Sequence, residues 1–284
     1  MAVIHIITDT DASIPADLAA SHQIHQVPIL IQFGEETYSA CETINDKQLF
    51  EKIDTLGKLP TTAAPSPSAF NAAFTNAFAA GADSIICITV GSKISRTYDS
   101  AITAAADFPG RLITIVDSEN LSLCQGFMAI EAAEAVAAGA NHDQAVAAAL
   151  DLSSRMHLYG SLTTLKYLAM GGRIGNVSAK MAGFLDIRPI MTMIDGKLGL
   201  LEKVRTHRVA LNRLVQLLEK SVANKSIVKA GIVHVNNPED ASLLESRLRD
   251  VLPMPEKLIV AEFTPGLSVH GGSGLIAAVL VTTN

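Results

Sequence analysis

The sequence predicts an α/β chain in two parts, a parallel-sheet half followed by a mixed, largely antiparallel α+β half. In the first half, short apolar runs end in polar loops and alternate with helical patterns, as parallel strands with crossover helices require. In the second half, an Asp-Gly dipeptide separates two strand-like runs, the signal of a hairpin. The 284 residues suffice for two modest domains with a sizeable core. We place the boundary near residue 155, giving 1–155 and 156–284.

Val3 to Thr8 is a short apolar run that ends in Thr8-Asp-Thr-Asp-Ala-Ser13. This pattern is a buried strand entering a loop, with Pro15 suited to the first turn of a helix. Ile24 to Phe33 reads as a second strand, and Ile44 to Leu56 as a helix capped by Asn45. Three prolines between Pro60 and Ser68 remove donors and restrict their neighbours, so no regular structure is expected there. Phe70, Phe74 and Phe78 then recur at helical spacing. Ser84 to Val90 is a buried strand, Thr97 to Asp107 a helix, and Leu112 to Val116 a further strand. Two Ala-rich helices, 120–138 and 142–155, complete this half.

Beyond the boundary, Pro189 to Ile194 and Lys197 to Val204 flank Asp195-Gly196 as the two arms of the hairpin. Helices are expected over 208–223 and 238–251, with strands near 228–235, 256–263 and 275–282.

Composition narrows the function. A net charge of −6 argues against broad binding of nucleic acid or an anionic membrane, both of which need a basic face. No apolar run approaches the roughly 18 residues of a membrane span. The start lacks a basic flank and meets Asp9 and Asp11 too early for a signal peptide. Cys41, Cys87 and Cys124 are odd in number and far apart, which fits a reducing cytoplasm better than a disulfide framework. The 49% hydrophobic content with no Trp suits Ala-rich helices on a buried sheet, and it also leaves room for an apolar ligand cavity.

Four groups of residues could carry chemistry. Thr61 and Thr62 precede one helix, and Ser92, Ser95 and Thr97 precede another. Loops at the carboxyl ends of parallel strands are where ligands gather, and hydroxyls at a helix start suit an anion; ordinary capping would use the same residues. Gly171-Gly172 reads as a helix end from which Arg173 emerges with a fork able to clamp a carboxylate. His270 lies among glycines that let backbone approach closely. Arg188, Lys197, Lys203, Arg205, His207 and Arg208 form a cationic patch on and after the hairpin, a surface for an acidic partner. Each group alone also has a plain structural explanation. No P-loop signature, GxSxG elbow, HExxH pair or dinucleotide fingerprint occurs, and the histidines lack ligand spacing.

Taken in order, these pieces resemble the DegV family, the fatty-acid-binding subunits of bacterial fatty acid kinase. Thr8-Asp-Thr is similar to the family's opening Thr-Asp-Ser, and Pro60-Thr-Thr-Ala-Ala-Pro-Ser-Pro67 to its Pro-Thr-Thr-Ser-Gln-Pro-Ser segment. Ser92 to Ala101 resembles its Ser-Gly-Thr-Tyr-Gln-Ser-Ala signature, and Lys166 to Ile174 its Gly-Gly-Arg-Ile element. Arg188-Pro-Ile, Asp195-Gly and Lys203-Val-Arg205 look like its hairpin, and His270-Gly-Gly-Ser-Gly274 like its His-x-Gly-Pro-Gly loop. Each motif is weak alone, but their order along nearly the whole chain is specific. Departures are Arg96 for the signature glycine, Ala63-Ala64 for Ser-Gln, Ser273 for proline and Arg188 for lysine.

The resemblance implies a carrier rather than an enzyme, with an acyl chain buried between or beneath the two domains. It implies that Thr62, Ser95 and His270 hold the carboxylate, with Arg173 nearby, and that no cofactor or metal takes part. The implied ligand is a long-chain fatty acid. The implied partner is an ATP-dependent kinase that phosphorylates the bound acid in the service of phospholipid synthesis, docking on Arg188, Lys203 and Arg205. Two other readings remain open at this point. One is a small-molecule enzyme with His270 as acid/base and Arg173 as anion clamp; the other is a regulatory protein in which the acyl chain is only a structural plug.

Overall fold

The computed structural model describes residues 2–173, 187–223 and 225–284. Its elements, in chain order, begin with β1 (Ile4–Asp9), a 3-10 turn (Thr10–Ala12), α1 (Ala16–Ser21), β2 (Ile24–Val27), β3 (Leu30–Phe33) and β4 (Glu36–Ser39). Next come α2 (Asp46–Leu56), β5 (Thr61–Ala63), α3 (Pro67–Ala79), β6 (Ser84–Thr89), α4 (Thr97–Ala105) and β7 (Leu112–Asp117). α5 (Leu123–Ala137), α6 (His142–Ser153), β8 (Met156–Ser161), α7 (Lys166–Met170), β9 (Arg188–Ile194) and β10 (Lys197–Val204) follow. The last are α8 (His207–Val222), β11 (Ile227–His234), α9 (Pro238–Val251), β12 (Ile259–Glu262), α10 (Pro265–Gly271) and β13 (Ile276–Thr282).

The chain forms two units, one of residues 1–43 and 62–154, the other of 44–61 and 155–284. The single cut proposed from sequence does not describe 44–61. That segment carries α2, whose Asp46 is bonded to Ser268 on α10 and which therefore groups with the C-terminal half.

In the first unit, β2-β1-β6-β7 pair in parallel, with Ile6 opposite Ile24 and Ile86, and Ile86 opposite Thr114. Every residue of β6 is buried, as expected of a central strand covered on both faces. Ile7, Ile85 and Cys87 pack with Phe70 and Phe74 of α3 and Ala101 and Ala104 of α4. On the other face, α5 and α6 lie against the sheet. There the His142 ring bridges Ser84 Oγ at 2.9 Å and Thr114 Oγ1 at 2.7 Å. Gly126 lets α5 approach the 3-10 turn after β1, because a Cβ there would lie 2.5 Å from the Ala12 carbonyl oxygen.

The first half departs from the sequence-based expectation at three places. Ile24 to Phe33 is two strands in two different sheets, divided at Pro28, whose missing N–H ends the parallel ladder. β4 pairs with β3 through a turn at Gly34, whose φ of +63° suits glycine. The proline-rich stretch contains the three-residue β5, which joins the small sheet β4-β3-β5.

In the second unit, six strands run in the order β10-β9-β8-β13-β11-β12. All pairs are antiparallel except β11 with β12, so the sheet is mixed. Leu211, Leu214 and Leu218 of α8 and Ala241, Leu244 and Leu248 of α9 bury against Ile190, Ile232, Ile276, Ala278 and Leu280. Asp195 and Gly196 both take positive φ, 50° and 72°, the backbone of the primed turn expected from Asp-Gly. Arg213 of α8 grips Glu202 with two bonds of 2.7 Å, tying the hairpin to the helix. β8 is an addition to the expected elements, and the loop expected around His270 is helical, as α10.

Candidate functional site

The carboxyl ends of β1, β6 and β7 converge on a buried polar network. Asp9 closes β1 and accepts from Val90 N–H at 2.8 Å, Gln125 Nε2 at 3.0 Å and Asp11 N–H at 3.0 Å. Burial pushes its carboxyl up to about 6, against those donors, which pull it down. Gln125 also donates to Thr8 Oγ1 at 2.9 Å, and Thr8 in turn to the Ile88 carbonyl at 2.7 Å. Ser122 donates to Ser13 Oγ at 3.0 Å, with both residues in positive φ. The Thr8 to Ser13 motif thus braces the loops that carry candidate residues, rather than presenting side chains to solvent.

One of those loops holds Ser95. Asp117 accepts from Ser92 N–H at 3.0 Å and Gly91 N–H donates to the Asn120 carbonyl at 2.7 Å, fixing the start of the turn. Ile94 and Ser95 N–H both return to the Gly91 carbonyl. Ser95, half-buried, is 2.9 Å from the buried Thr97 hydroxyl at the first turn of α4. Arg96, the departure from the family signature, is exposed and pairs with Asp99 at 2.6 Å, so its charge is engaged on the outer side of the helix. Thr62 is half-buried on β5, in the small sheet.

In the second unit His270 and Arg173 come together. His270 is the sixth residue of the seven-residue α10, and its ring lies against the end of α7. A Cβ on Gly171 would be 2.1 Å from His270 Nδ1, so only glycine admits the imidazole there. Gly272 likewise rests on the Tyr167 ring, where a Cβ would be 2.3 Å away. Arg173 turns back over the helix end, its N–H donating to the Leu168 carbonyl at 3.0 Å and Nη1 to the Gly171 carbonyl at 2.6 Å. Burial and then the Arg173 charge hold the His270 ring down at about 4, so at neutral pH it is an uncharged imidazole with one N–H to donate. Ile174, the last residue of the Gly-Gly-Arg-Ile motif, lies outside the described residues.

Sequence reasoning missed Asp46 and Ser268. Ser268 Oγ donates to Asp46 Oδ2 at 2.7 Å, and both residues are buried. Burial pushes the Asp46 carboxyl up to about 7; Ser268 pulls it down and the Glu262 charge adds to the rise. Asp46 follows the capping residue Asn45, whose reciprocal bonds with Gln48 look like an ordinary surface helix start. No local signal reveals a partner 222 positions away.

On the hairpin, Arg188 is half-buried while Lys203 and Arg205 are exposed. Arg188 faces Val204 and Lys203 faces Pro189 across the strands. A register shift between Leu200 and Glu202 lies just before these residues. His207 of the patch is engaged with Asp240. Cys87 and Cys124 are buried, and burial pushes the Cys124 thiol up to about 12, far from a reactive thiolate. Among the described residues no group of His, Cys, Asp and Glu could hold a metal ion, and no helix is long and apolar enough to cross a membrane.

Comparison with known proteins gives a consistent result. The family model described as "Uncharacterised protein, DegV family" matches residues 3–283. A DegV domain-containing protein of Streptomyces coelicolor is 32% identical over 275 residues, covering 97% of each chain. A solved structure described as fatty acid binding of a DegV family protein, from Thermus thermophilus, superimposes with a TM-score of 0.92 at 26% identity, covering 99% of this chain and 100% of that one. The structure of DegV from Bacillus subtilis, described as a fatty acid binding protein, superimposes with a TM-score of 0.88 at 26% identity, covering 100% of both.

Proposed function

The chain belongs to the DegV family, and from that premise we propose that it carries one long-chain fatty acid and offers the carboxylate to an ATP-dependent fatty acid kinase. The observation that carries the ligand class is the full-length likeness to two structures described as fatty-acid binding, both at 26% identity. The carboxylate is held by Thr62, Ser95 and His270, with Arg173 adding positive charge. The kinase docks on Arg188, Lys203 and Arg205, and no cofactor or metal is needed.

Elementary energetics supports this assignment. Each methylene removed from water contributes roughly 0.8 kcal/mol, so a long acyl chain supplies on the order of 10 kcal/mol before ordering and association costs. The acid group must then be hydrogen-bonded to offset its desolvation. A neutral imidazole, two hydroxyls and a guanidinium are suitable donors for a carboxylate. A His ring held near 4 is a poor general acid or base at neutral pH, where a group titrating close to the working pH is most effective. That disfavours the reading of this protein as a small-molecule enzyme.

Oleate titration of the delipidated protein, followed by calorimetry, tests the assignment. One molecule should bind per chain, and His270→Ala should weaken binding roughly tenfold, the cost of one hydrogen bond to a charged group. Absence of saturable binding to the wild type would remove the proposal; unchanged affinity in His270→Ala would remove the role of that ring alone.

A further inference from the structure

We propose that Asp46 is a positioning residue for His270, acting through its hydrogen bond to Ser268 and the short helix α10 that both Ser268 and His270 occupy. The inference rests on the reading of His270 as a carboxylate ligand, and it adds a residue outside the ligand set.

Ser268 and His270 are two residues apart, which on an α-helix places them about 200° apart and so on opposite faces. One face meets α2, where Ser268 Oγ donates to Asp46 Oδ2 at 2.7 Å. The other meets α7, where the imidazole lies against Gly171 and Gly272 lies against Tyr167. α10 is therefore clamped from two sides: a polar tie on one and a glycine-sized seat on the other. Seven residues form fewer than two turns, too few for a helix to hold its own orientation.

The tie is expensive as a purely structural device. Asp46 is 2% exposed, and among the described residues its Oδ1 has no hydrogen-bond partner. A buried carboxylate with one donor is costly, and a Leu would fill the space without that cost. Glu262 on β12 is the charged neighbour whose field reaches Asp46, and it makes the burial more costly still. Arg173 is the charged neighbour of His270. What the arrangement gains is a short, directed bond that joins α2 to α10 across 222 positions of sequence and fixes the helix on which His270 sits.

The test is the titration of the His270 ring by nitrogen-15 NMR, with Asp46→Ala, Ser268→Ala and Asp46→Asn compared with the wild type. In the wild type the ring should titrate near 4. Asp46→Ala and Ser268→Ala should raise the midpoint by about one unit or more, as the loosened helix lets water reach the ring. Asp46→Asn keeps an oxygen for Ser268 and should restore the wild-type midpoint. Oleate affinity should follow the same order, about tenfold weaker in the two alanine variants and near wild type in Asp46→Asn. An unchanged His270 midpoint in Ser268→Ala would overturn the proposal even if Asp46→Ala failed to fold. If the wild type bound no oleate but the midpoints moved as described, the carrier function would fall and the positioning role would stand.

Discussion

At the scale of single residues, the chain keeps two kinds of buried titratable group, and they respond to pH in opposite senses. Burial lowers His25, His142, His157 and His234, as well as His270, below the ordinary imidazole value. For these the unfolded chain binds protons more readily, so stability is lost as pH falls below about 6.5. Asp9 and Asp46 are raised, so their contribution is fully present below the unfolded value of 3.8 and is lost as pH rises through about 6 and about 7. Asp46→Asn cannot titrate. Its stability relative to the wild type should therefore rise between pH 4 and pH 8, by about 1.4 kcal/mol for each unit by which Asp46 is raised, as an upper bound. Denaturant melts at the two pH values check this; a constant difference would show that Asp46 titrates normally. The residue scale was only partly legible in sequence. Thr62 and Ser95 stood out as hydroxyls before a helix, and Arg173 and His270 by the glycines beside them. Asp46 did not, because burial of a helix-start carboxylate is decided by a distant partner.

At the scale of elements, periodicity and turn chemistry carried most of the information. The alternation of buried β6 with the helices around it, and the Asp195-Gly196 turn, follow directly from residue pattern. Two of the departures, β5 and α10, are short elements whose existence depends on tertiary partners. β5 has three residues and α10 seven, lengths at which local propensity decides little. α10 was obscured by Gly271 and by Gly272 just beyond it, which pack against Leu275 and Tyr167 respectively. The hairpin β9–β10 is held to α8 by the paired bonds between Arg213 and Glu202. On the proposed function, Arg205→Glu should weaken kinase binding roughly tenfold, with a reduced association rate, and leave oleate affinity unchanged. Surface plasmon resonance beside an oleate titration separates the two; equal loss of both would show that Arg205 supports the fold instead.

At the scale of the whole molecule, a parallel α/β unit and a mixed-sheet unit were expected and are present, while the assignment of α2 could not be read from a linear boundary. The chain returns one helical segment from its first third to the C-terminal unit, and composition carries no mark of that exchange. Relatives of nearly equal length share this architecture, and two of the solved ones are described as fatty-acid binding. The most direct check of the account is a denaturing mass spectrum and organic extract of the protein purified from a bacterial host without added lipid. One long-chain fatty acid per chain is expected. A preparation with no acyl species that also fails to take up added oleate would contradict it.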